Sequence, residues 1–381
     1  MTEIRVDTIV DAAGTGAPDF TTAPTVGGVA LGSLATSSFT SSASAPSSPS
    51  DGAVWWDTAN SALKIYANSG WRTVTLGVIP LGSGYFGDRM LVGSGNTDAG
   101  AGITNAIRYI DITGSGGSSG FGSLTANRGS ASGATGIDYR GLFIAGVSSS
   151  AWLNIIEYVT TTTTGNSVDF GDTVASGISN VAAASNGVTA MYAMGEYQGT
   201  SIEKVTIATT GNASAWSGSL SNSRNNGTAA SDGTKGFFMG GLPIPNNGVT
   251  QNTIDYFTIS TDSSATDWGD LTQSKYGGRA VGNEDRILYG GGKNSSELNS
   301  IDYFSTASAG NAYDFGDLTY SVRAPIASNN ETKAVWVGGW TGSARVTTQN
   351  IVTIDTAANA TTFGSFAFNI SHGAGLSGAA S

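Results

Sequence analysis

Residues 286–318 read RILYGGGKNSSELNSIDYFSTASAGNAYDFGDL, and this stretch decides the fold because its pattern returns along most of the chain. It contains an apolar run ending in glycines at 287–292 and the tetrapeptide Ile-Asp-Tyr-Phe at 301–304. An aromatic residue followed by glycine, at 315–316, comes 14 residues after the tetrapeptide begins. The apolar segments are short and are bounded by Gly, Ser or Asn, which is typical of β-strands joined by tight turns.

The tetrapeptide and the glycine run each occur six times. Related tetrapeptides begin at Ile107, Ile156, Ile202, Ile254, Ile301 and Ile351. Apolar runs ending in glycine precede them at 90–93, 142–146, 191–195, 237–241, 287–292 and 335–339. Successive tetrapeptides are 46 to 52 residues apart, and only in the sixth does the aromatic residue, Phe363, come two residues early. Such spacing indicates one repeated structural unit with variable loops.

A unit of this length, with four short strands, matches the blade of a kelch-type propeller. We therefore predict an all-β fold with a six-bladed, kelch-like β-propeller over residues 81–381. The glycine pair would let strands approach closely near the hub, and the Ile, Tyr and Phe positions would fill the space between blades. The aromatic-Gly pair would turn the chain between outer strands.

The two ends of the repeat array are complementary. The first unit lacks one strand, whereas the last has the surplus FAFNISHGAGLSG at 366–378. We predict that this C-terminal strand completes the first blade and closes the ring, which removes exposed sheet edges. In this register His372 falls near a recurring base of the other units. Those bases are Arg128, Arg224, Lys275 and Arg323.

The composition excludes several classes of function. The chain has 17 Lys and Arg against 28 Asp and Glu, and its net charge of −11 would repel nucleic acid. No apolar run approaches the roughly 18 residues of a membrane helix, so we expect no membrane insertion, and the first 30 residues lack a signal-peptide pattern. Cysteine is absent and His372 is the single histidine. We expect no cofactor, no metal and no catalytic residue.

The first eighty residues differ from the repeats and form three predicted segments. Residues 1–35 are an N-terminal arm with too little apolar surface to fold alone. The apolar residues of its one predicted strand include Ile4, Val6 and Ile9. Residues 36–50 are an extended Ser/Pro linker, and residues 51–80 are a Trp-rich β module of three short strands.

The tryptophans of this module are expected to pack against something larger. Trp55, Trp56 and Trp71 fall within 17 residues, which is more apolar surface than an isolated meander leaves in water. We expect them to form a packing collar against the propeller, a sister chain or a partner.

Nearly the whole chain resembles structural proteins of bacteriophages. The opening MTEIRVDTIVDAAGTGAPDF resembles the N-termini of tail-fibre and other virion proteins, especially of phages of marine bacteria and cyanobacteria. The stretch DGAVWWDTANSALKIYANSGWRTV at 51–74 and the IDYF repeats are similar to a small β module and to kelch-like repeats of such proteins.

The resemblance implies a non-enzymatic virion protein, a tail fibre or short appendage. It implies that the N-terminal arm, with Ile4, Val6 and Ile9, binds other virion proteins. It also implies a homotrimer, made in the host cytoplasm and carried on the phage particle. The propeller would be a display head that contacts a host-surface glycan or protein during adsorption.

Aromatic residues in the variable loops are the candidate receptor contacts. Trp152, Tyr197 and Trp340 lie in the variable segments just after the glycine runs of their units. Loops on one rim of a propeller vary while the blades persist, and Trp and Tyr rings stack on sugars. The alternative is that these rings cover the edges of neighbouring blades.

Other candidate motifs have structural interpretations. The tripeptide Asp-Phe-Gly at 169–171 and 314–316 resembles a kinase magnesium motif, but it recurs with the blade period and no partner motif accompanies it. Pairs of acids could bind calcium or cap turns. These pairs are Asp169/Asp172, Asp267/Asp270 and Asp314/Asp317.

The alternative function is a virion-associated, carbohydrate-active propeller, a glycan hydrolase. Its chemistry would need two carboxylates about 5–10 Å apart in one pocket. The recurring bases could form a cluster near the hub or pair with acids along the inner strands. The chain has seven glutamates, namely Glu3, Glu157, Glu196, Glu203, Glu284, Glu297 and Glu331. No local motif marks a catalytic pair among them, so we predict no enzymatic activity.

Overall fold

The computed structural model describes residues 25–26, 29–30, 40–49, 53–58, 62–67, 70–74, 87–98, 102–137, 139–196, 198–245 and 248–378. The chain divides into two compact units, Met1–Pro80 and Leu81–Ser381. Every regular element of the described residues is a β-strand. The predicted arm residues Ile4, Val6 and Ile9 lie outside the described residues.

The first unit contains a small four-stranded sheet. Its strands are Thr40–Ser42, Val54–Asp57, Ala62–Ala67 and Gly70–Val74, and a separate pair joins Thr25–Val26 to Val29–Ala30. The last three strands are the predicted antiparallel meander. The first strand, from the segment predicted as a linker, pairs in parallel with Val54–Asp57.

This sheet covers part of its own tryptophan surface. Trp55 is buried, and its Nε1–H donates a hydrogen bond to the carbonyl oxygen of Ser42 at 3.0 Å. The ammonium of Lys64 lies 5.5 Å from the Trp55 ring centre and 3.4 Å from the buried Asp57 carboxylate. Trp56 is partly buried, and the Trp71 side chain lies outside the described part of the structure. The strand taken from the linker segment thus supplies a partner for Trp55.

The second unit is a six-bladed β-propeller, as predicted. Each blade is an antiparallel sheet whose strands run, from the axis outward, inner, second, third and outer. Blade 1 consists of Ala374–Gly378, Arg89–Gly93, Thr104–Asp111 and Ser119–Arg128. Blade 2 consists of Ser132–Thr135, Arg140–Ile144, Ile155–Thr160 and Val168–Asp172. Blade 3 consists of Ala182–Ser185, Thr189–Ala193, Glu203–Thr206 and Ser214–Ala215.

The remaining blades follow the same plan. Blade 4 consists of Thr228–Ser231, Lys235–Met239, Thr253–Thr258 and Thr266–Asp270. Blade 5 consists of Arg279–Gly282, Arg286–Gly290, Ser300–Ser305 and Tyr313–Asp317. Blade 6 consists of Ile326–Asn329, Lys333–Val337, Val346–Thr353 and Thr361–Ser371. Two short strand pairs, Asn96–Thr97 with Ile370–Ser371 and Arg224–Asn225 with Leu242–Pro243, lie in the connections.

The C-terminal strand closes the ring. Ala374–Gly378 pairs antiparallel with Arg89–Gly93, and Leu376 lies opposite Leu91. The first blade therefore takes its inner strand from the end of the chain and its other three strands from the beginning, which confirms the predicted closure.

The apolar core is divided among the six spaces between blades. Each of six buried clusters combines the facing sides of two neighbouring blades. In the space between blades 1 and 2, for example, Leu91 and Leu376 pack with Phe143. The apolar positions of the repeat thus fill these spaces, as their alternation along the strands predicted.

A base at the start of the second strand ties several neighbouring blades together. Arg286 stacks over the Tyr303 ring at 4.8 Å and donates to the carbonyl oxygen of Ile354 in blade 6 at 3.3 Å. Arg89 and Arg140 make the equivalent contacts in their blades. Lys235 donates to the carbonyl oxygen of Thr306 in blade 5, but its ammonium lies over the Trp268 ring of the outer strand. In blade 3 the same position holds Thr189.

The aromatic-Gly pair lies within the outer strand, so its prediction as a corner is wrong. Gly269 has a φ of 147° and lies at a β-bulge of the outer strand, where Trp268 is the extra residue without a partner in the third strand. A Cβ at Gly269 would collide with the carbonyl of Gly310, in a turn of the next blade. Gly171 and Gly316 repeat this arrangement. The glycine is needed for close packing between blades as well as for its backbone conformation.

We expect Gly269→Ala to destabilise the propeller by about 2 kcal/mol or more, because it adds backbone strain and a steric collision. Gly310→Ala is the matched control, since a Cβ at Gly310 meets nothing within 4 Å. Urea unfolding of both variants measures the difference. Equal stabilities of the two variants would contradict the packing role of Gly269.

The sixth tetrapeptide is misplaced by two residues in the sequence-based alignment. Strand pairing places Gln349 and Asn350 where blade 5 has Ile301 and Asp302. With Gln349 as the start, Phe363 follows after the usual 14 residues. The segment Ile351–Ile354 resembles the tetrapeptide signature in sequence more closely than the polar Gln349 and Asn350, which occupy its first two positions in the structure.

Candidate functional site

Three of the recurring bases are buried in ion pairs between blades. Each base precedes the inner strand of one blade and pairs with the acid at the second position of that blade's tetrapeptide. The pairs are Arg128–Glu157 at 2.5 Å, Arg224–Asp255 at 3.0 Å and Lys275–Asp302 at 2.9 Å. All six side chains are essentially inaccessible to solvent. They are therefore structural pairs, and no open basic cluster forms from them.

The acid of each pair also joins the blade to the one before it. In blade 4, the Asp255 carboxylate accepts hydrogen bonds from the backbone N–H and the hydroxyl of Ser221, at 3.1 and 2.9 Å. Thr272 donates in the same two ways to Asp302 of blade 5. Ser221 and Thr272 lie just beyond the outer strands of blades 3 and 4, so the carboxylate is fixed from both sides of the interface.

Blade 6 has uncharged residues at both positions of the ion pair. In blade 6 the base is replaced by Val322 and the acid by Asn350, whose amide oxygen still accepts from the backbone N–H of Thr319 at 2.8 Å. Arg323, which the sequence aligned with the bases, is one residue further along. It is partly exposed and lies 3.5 Å from Glu297.

Blade 3 keeps the acid without the base. Ile178 occupies the basic position, and the buried Glu203 accepts from the Tyr192 hydroxyl at 2.6 Å and from the backbone N–H of Val174 at 2.8 Å. Burial, followed by the charge of Glu203, raises the pKa of Tyr192 well above its ordinary value. Hydrogen-bond donors here replace the cation that neutralises the carboxylate in blades 2, 4 and 5.

The axial channel contains two narrow cavities of about 90 and 50 Å³. Both are lined by inner strands, at positions that hold mostly Gly, Ala, Ser and Thr. Among the described residues lining them, Arg279 is the one that carries a charge. Arg279 belongs to the smaller cavity, at the end where the inner strands begin.

A ring of left-handed residues surrounds the axis at that end. The six residues are Ser130, Asn180, Asn226, Gly277, Ala324 and His372, with φ between 48° and 68°. Backbone N–H groups donate to the carbonyl of the neighbouring blade's residue in five of the six links. These links are Ser130 to His372, Asn180 to Ser130, Gly277 to Asn226, Ala324 to Gly277 and His372 to Ala324, at 2.5–3.0 Å.

His372 is the contribution of the C-terminal segment to this ring. Its Nδ1 lies 2.9 Å from the Ser371 hydroxyl. Burial lowers the pKa of His372 to about 3, and the charges of Arg279, Arg323 and Arg345 act in the same direction. The imidazole is therefore neutral at pH 7.

We expect His372→Asn to remove one component of acid destabilisation. The folded-state pKa of about 3 lies below the ordinary 6.5, so the unfolded state binds the proton first as the pH falls. Between pH 6.5 and pH 3, binding of this proton by the unfolded state lowers the free energy of unfolding by about 1.4 kcal/mol per pH unit. Above pH 6.5 it has no effect on stability. Asn is the matched replacement because Asn180 and Asn226 hold the same place in the ring.

Urea unfolding of both proteins between pH 7 and pH 3.5 tests this prediction. The stability difference between His372→Asn and the native chain should shift steadily in favour of the variant as the pH falls. A pH-independent difference would contradict it.

The variable loops between second and third strands lie on the same face as the ring. Trp152, in blade 2, is 44% exposed. Trp340, in blade 6, is partly buried and carries the Arg345 guanidinium 5.3 Å from its ring centre. Blade 1 separates the two tryptophans, so they do not form one patch, and Tyr197 lies outside the described residues.

The remaining candidate acids lie apart from one another. Asp169 and Asp314 belong to outer strands, and among the described residues no three His, Asp or Glu side chains gather in a way that could hold a metal ion. The backbone N–H groups of Asp172, Asp270 and Asp317 each donate to an asparagine of the next blade. These asparagines are Asn212, Asn311 and Asn359.

The six glutamates within the described residues have separate structural surroundings. Glu157 and Glu203 are buried at blade interfaces, whereas Glu284 and Glu331 are exposed in turns at the other face. Glu196 accepts from Asn180 and Ser179, and Glu297 pairs with Lys293 at 3.1 Å. None of these six glutamates lines an axial cavity.

Comparisons with known proteins identify no relative. No protein-family model matches the chain, and no curated protein matches it. Among the described residues, no helix is long and apolar enough to cross a membrane.

Proposed function

We propose that this protein is a non-enzymatic structural protein of a phage virion, a tail fibre or short appendage whose propeller is a rigid display head. The virion role rests on the resemblance of residues 1–74 and of the repeats to phage structural proteins. The non-enzymatic role rests on one observation, the burial of the recurring bases in ion pairs with acids. Arg128, Arg224 and Lys275 are neutralised inside blade interfaces, where no substrate reaches them.

The shape of the ring also favours display over catalysis. The axial cavities, of about 90 and 50 Å³, contain no carboxylate among the described residues that line them. The long loops of one face surround the channel mouth and differ between blades. Host-surface glycan or protein contacts by these loops, multiplied over several copies, would give avidity from weak single contacts.

An assay for new reducing ends separates this proposal from a glycan hydrolase. The full chain is incubated with surface polysaccharide purified from the phage host, and a known depolymerase is the positive control. We expect binding to the polysaccharide without new reducing ends. Depolymerisation by the chain would overturn the non-enzymatic role.

Deletion of the arm tests the attachment role. The deletion should end at residue 35, because Thr40–Ser42 is part of the first sheet. We expect the truncated chain to keep the propeller and to be missing from particles assembled in a complementation experiment, whereas the full chain is incorporated. Incorporation of the truncated chain would contradict the attachment role. Sedimentation of the full chain tests the homotrimer that the resemblance implies.

A further inference from the structure

Arg279 places an unneutralised positive charge beside the axis of the propeller. It is the first residue of the inner strand of blade 5 and lines the smaller axial cavity, of about 50 Å³. In blades 1 to 4 the same position holds a small uncharged residue, and in blade 6 it holds the buried Ile326. The small residues are Ser132, Ala182, Thr228 and Ala374. Arg279 is therefore the one charged residue at this position of the inner strands.

The other bases near the hub have acidic partners. Arg128, Arg224 and Lys275 are paired inside the interfaces, and outside them Arg323 lies near Glu297 and Arg345 near Asp98. For Arg279, by contrast, no carboxylate of the described residues lies within the 4.0 Å of an ion pair.

One protein hydrogen bond is formed by the Arg279 guanidinium, from Nη1 to the carbonyl oxygen of Gly278 at 3.0 Å. A guanidinium has five N–H donors in a planar fork, and a partly buried one is stabilised by acceptors that match this geometry. The lining of the cavity offers no carboxylate. A ligand from solution can therefore supply hydrogen-bond acceptors for the remaining N–H groups of Arg279.

The electrostatic field at this end of the channel favours an anion. Three arginines, Arg279, Arg323 and Arg345, act on His372 in the ring above the cavity, and together with burial they lower the pKa of that imidazole. These three arginines make this end of the channel locally positive, although the whole chain has a net charge of −11. The carboxylates of Glu297 and Asp98 are engaged by bases of the loops.

We propose that the smaller axial cavity binds a small oxyanion, a carboxylate or phosphate group, through the forked N–H groups of Arg279. A carboxylate or a phosphate accepts two parallel hydrogen bonds from one guanidinium. The volume corresponds to a few water molecules, which is enough for such a group. The site is independent of the proposed virion role, because it requires only the closed ring and Arg279.

Calorimetric titration of the full chain with sodium acetate and with inorganic phosphate, at constant ionic strength, tests the proposal. We expect saturable binding of one ion per chain for at least one of the two. Acetate binding alone identifies a carboxylate site, and phosphate binding alone identifies a site for a tetrahedral anion. Absence of saturable binding for both would overturn the proposal.

Two variants with the same change of net charge localise the binding. Arg279→Thr copies the residue of blade 4 at this position, Thr228, and should weaken binding at least tenfold. Arg286→Thr copies Thr189 of blade 3 on the opposite face and should leave binding unchanged. Equal affinities of the two variants would contradict the assignment to Arg279.

A third variant keeps the test decisive if Arg279→Thr does not fold. Arg279→Lys retains the charge and loses the fork, so we expect binding that is weaker than in the native chain but still measurable. Native affinity in Arg279→Lys would show that the forked geometry has no role, and would overturn that part of the proposal.

Discussion

Replacing Asp255 by asparagine is expected to destabilise the propeller by about 3–5 kcal/mol, because the substitution leaves Arg224 charged and buried without its partner. The two side chains are fully inaccessible and 3.0 Å apart. Asparagine has nearly the same shape as aspartate, so the expected loss of stability comes from the removed charge and not from altered packing. Urea unfolding followed by tryptophan fluorescence measures it.

The matched control comes from the chain itself. Blade 6 holds Val322 and Asn350 at the equivalent positions, and both are buried. The double variant Arg224→Val with Asp255→Asn copies this neutral pair into blade 4. We expect it to recover at least half of the stability lost in Asp255→Asn, since no buried charge remains unpaired. If the double variant were as unstable as Asp255→Asn, the loss of stability could not come from an unpaired buried charge on Arg224.

Deletion of residues 374–381 is expected to abolish cooperative folding of the propeller. Blade 1 would lose its inner strand, and the edge of Arg89–Gly93 would be exposed, which favours aggregation. Deletion of residues 379–381 alone is the control and should leave the propeller intact. Size-exclusion chromatography and thermal unfolding compare the two proteins.

A milder variant keeps this prediction testable if the truncated chain cannot be purified. Leu376 is buried in the cluster that joins blades 1 and 2. We expect Leu376→Ala to cost about 2–5 kcal/mol, in the range of other large-to-small core substitutions. A negligible loss in Leu376→Ala together with a stable 374–381 deletion would show that the C-terminal strand does not close the ring.

The periodic features of the chain predicted the architecture because each blade repeats the same local signals. The glycine runs, the tetrapeptides and the surplus C-terminal strand indicated six blades and their closure. Blade 6 shows where such reading fails, since Gln349 and Asn350 occupy apolar and acidic positions of the repeat. Only the pairing with Lys333–Val337 reveals their register.

The contacts at the hub could not be predicted residue by residue, because they depend on the geometry between blades. The sequence contained one unused signal, the acid at the second tetrapeptide position, which appears in Glu157, Glu203, Asp255 and Asp302. Blade 3 has this acid without the base, and the register of blade 6 is known only from strand pairing, so the ion pairs could not be inferred from the sequence alone. Arg279 could not be recognised as different from other bases until its inner-strand position and its missing partner were known.

Disulfide formation between Met90→Cys and Ser377→Cys tests the closed ring most directly. The chain has no native cysteine, and these residues lie opposite each other across the strand pair that closes blade 1. A second protein, with Met90→Cys and Ser231→Cys on blade 4, is the control. We expect an intramolecular disulfide in the first protein and none in the second, as measured by mass spectrometry of non-reduced peptides. A disulfide that links two chains, or no disulfide in the first protein, would contradict closure of the ring by its own C-terminal strand.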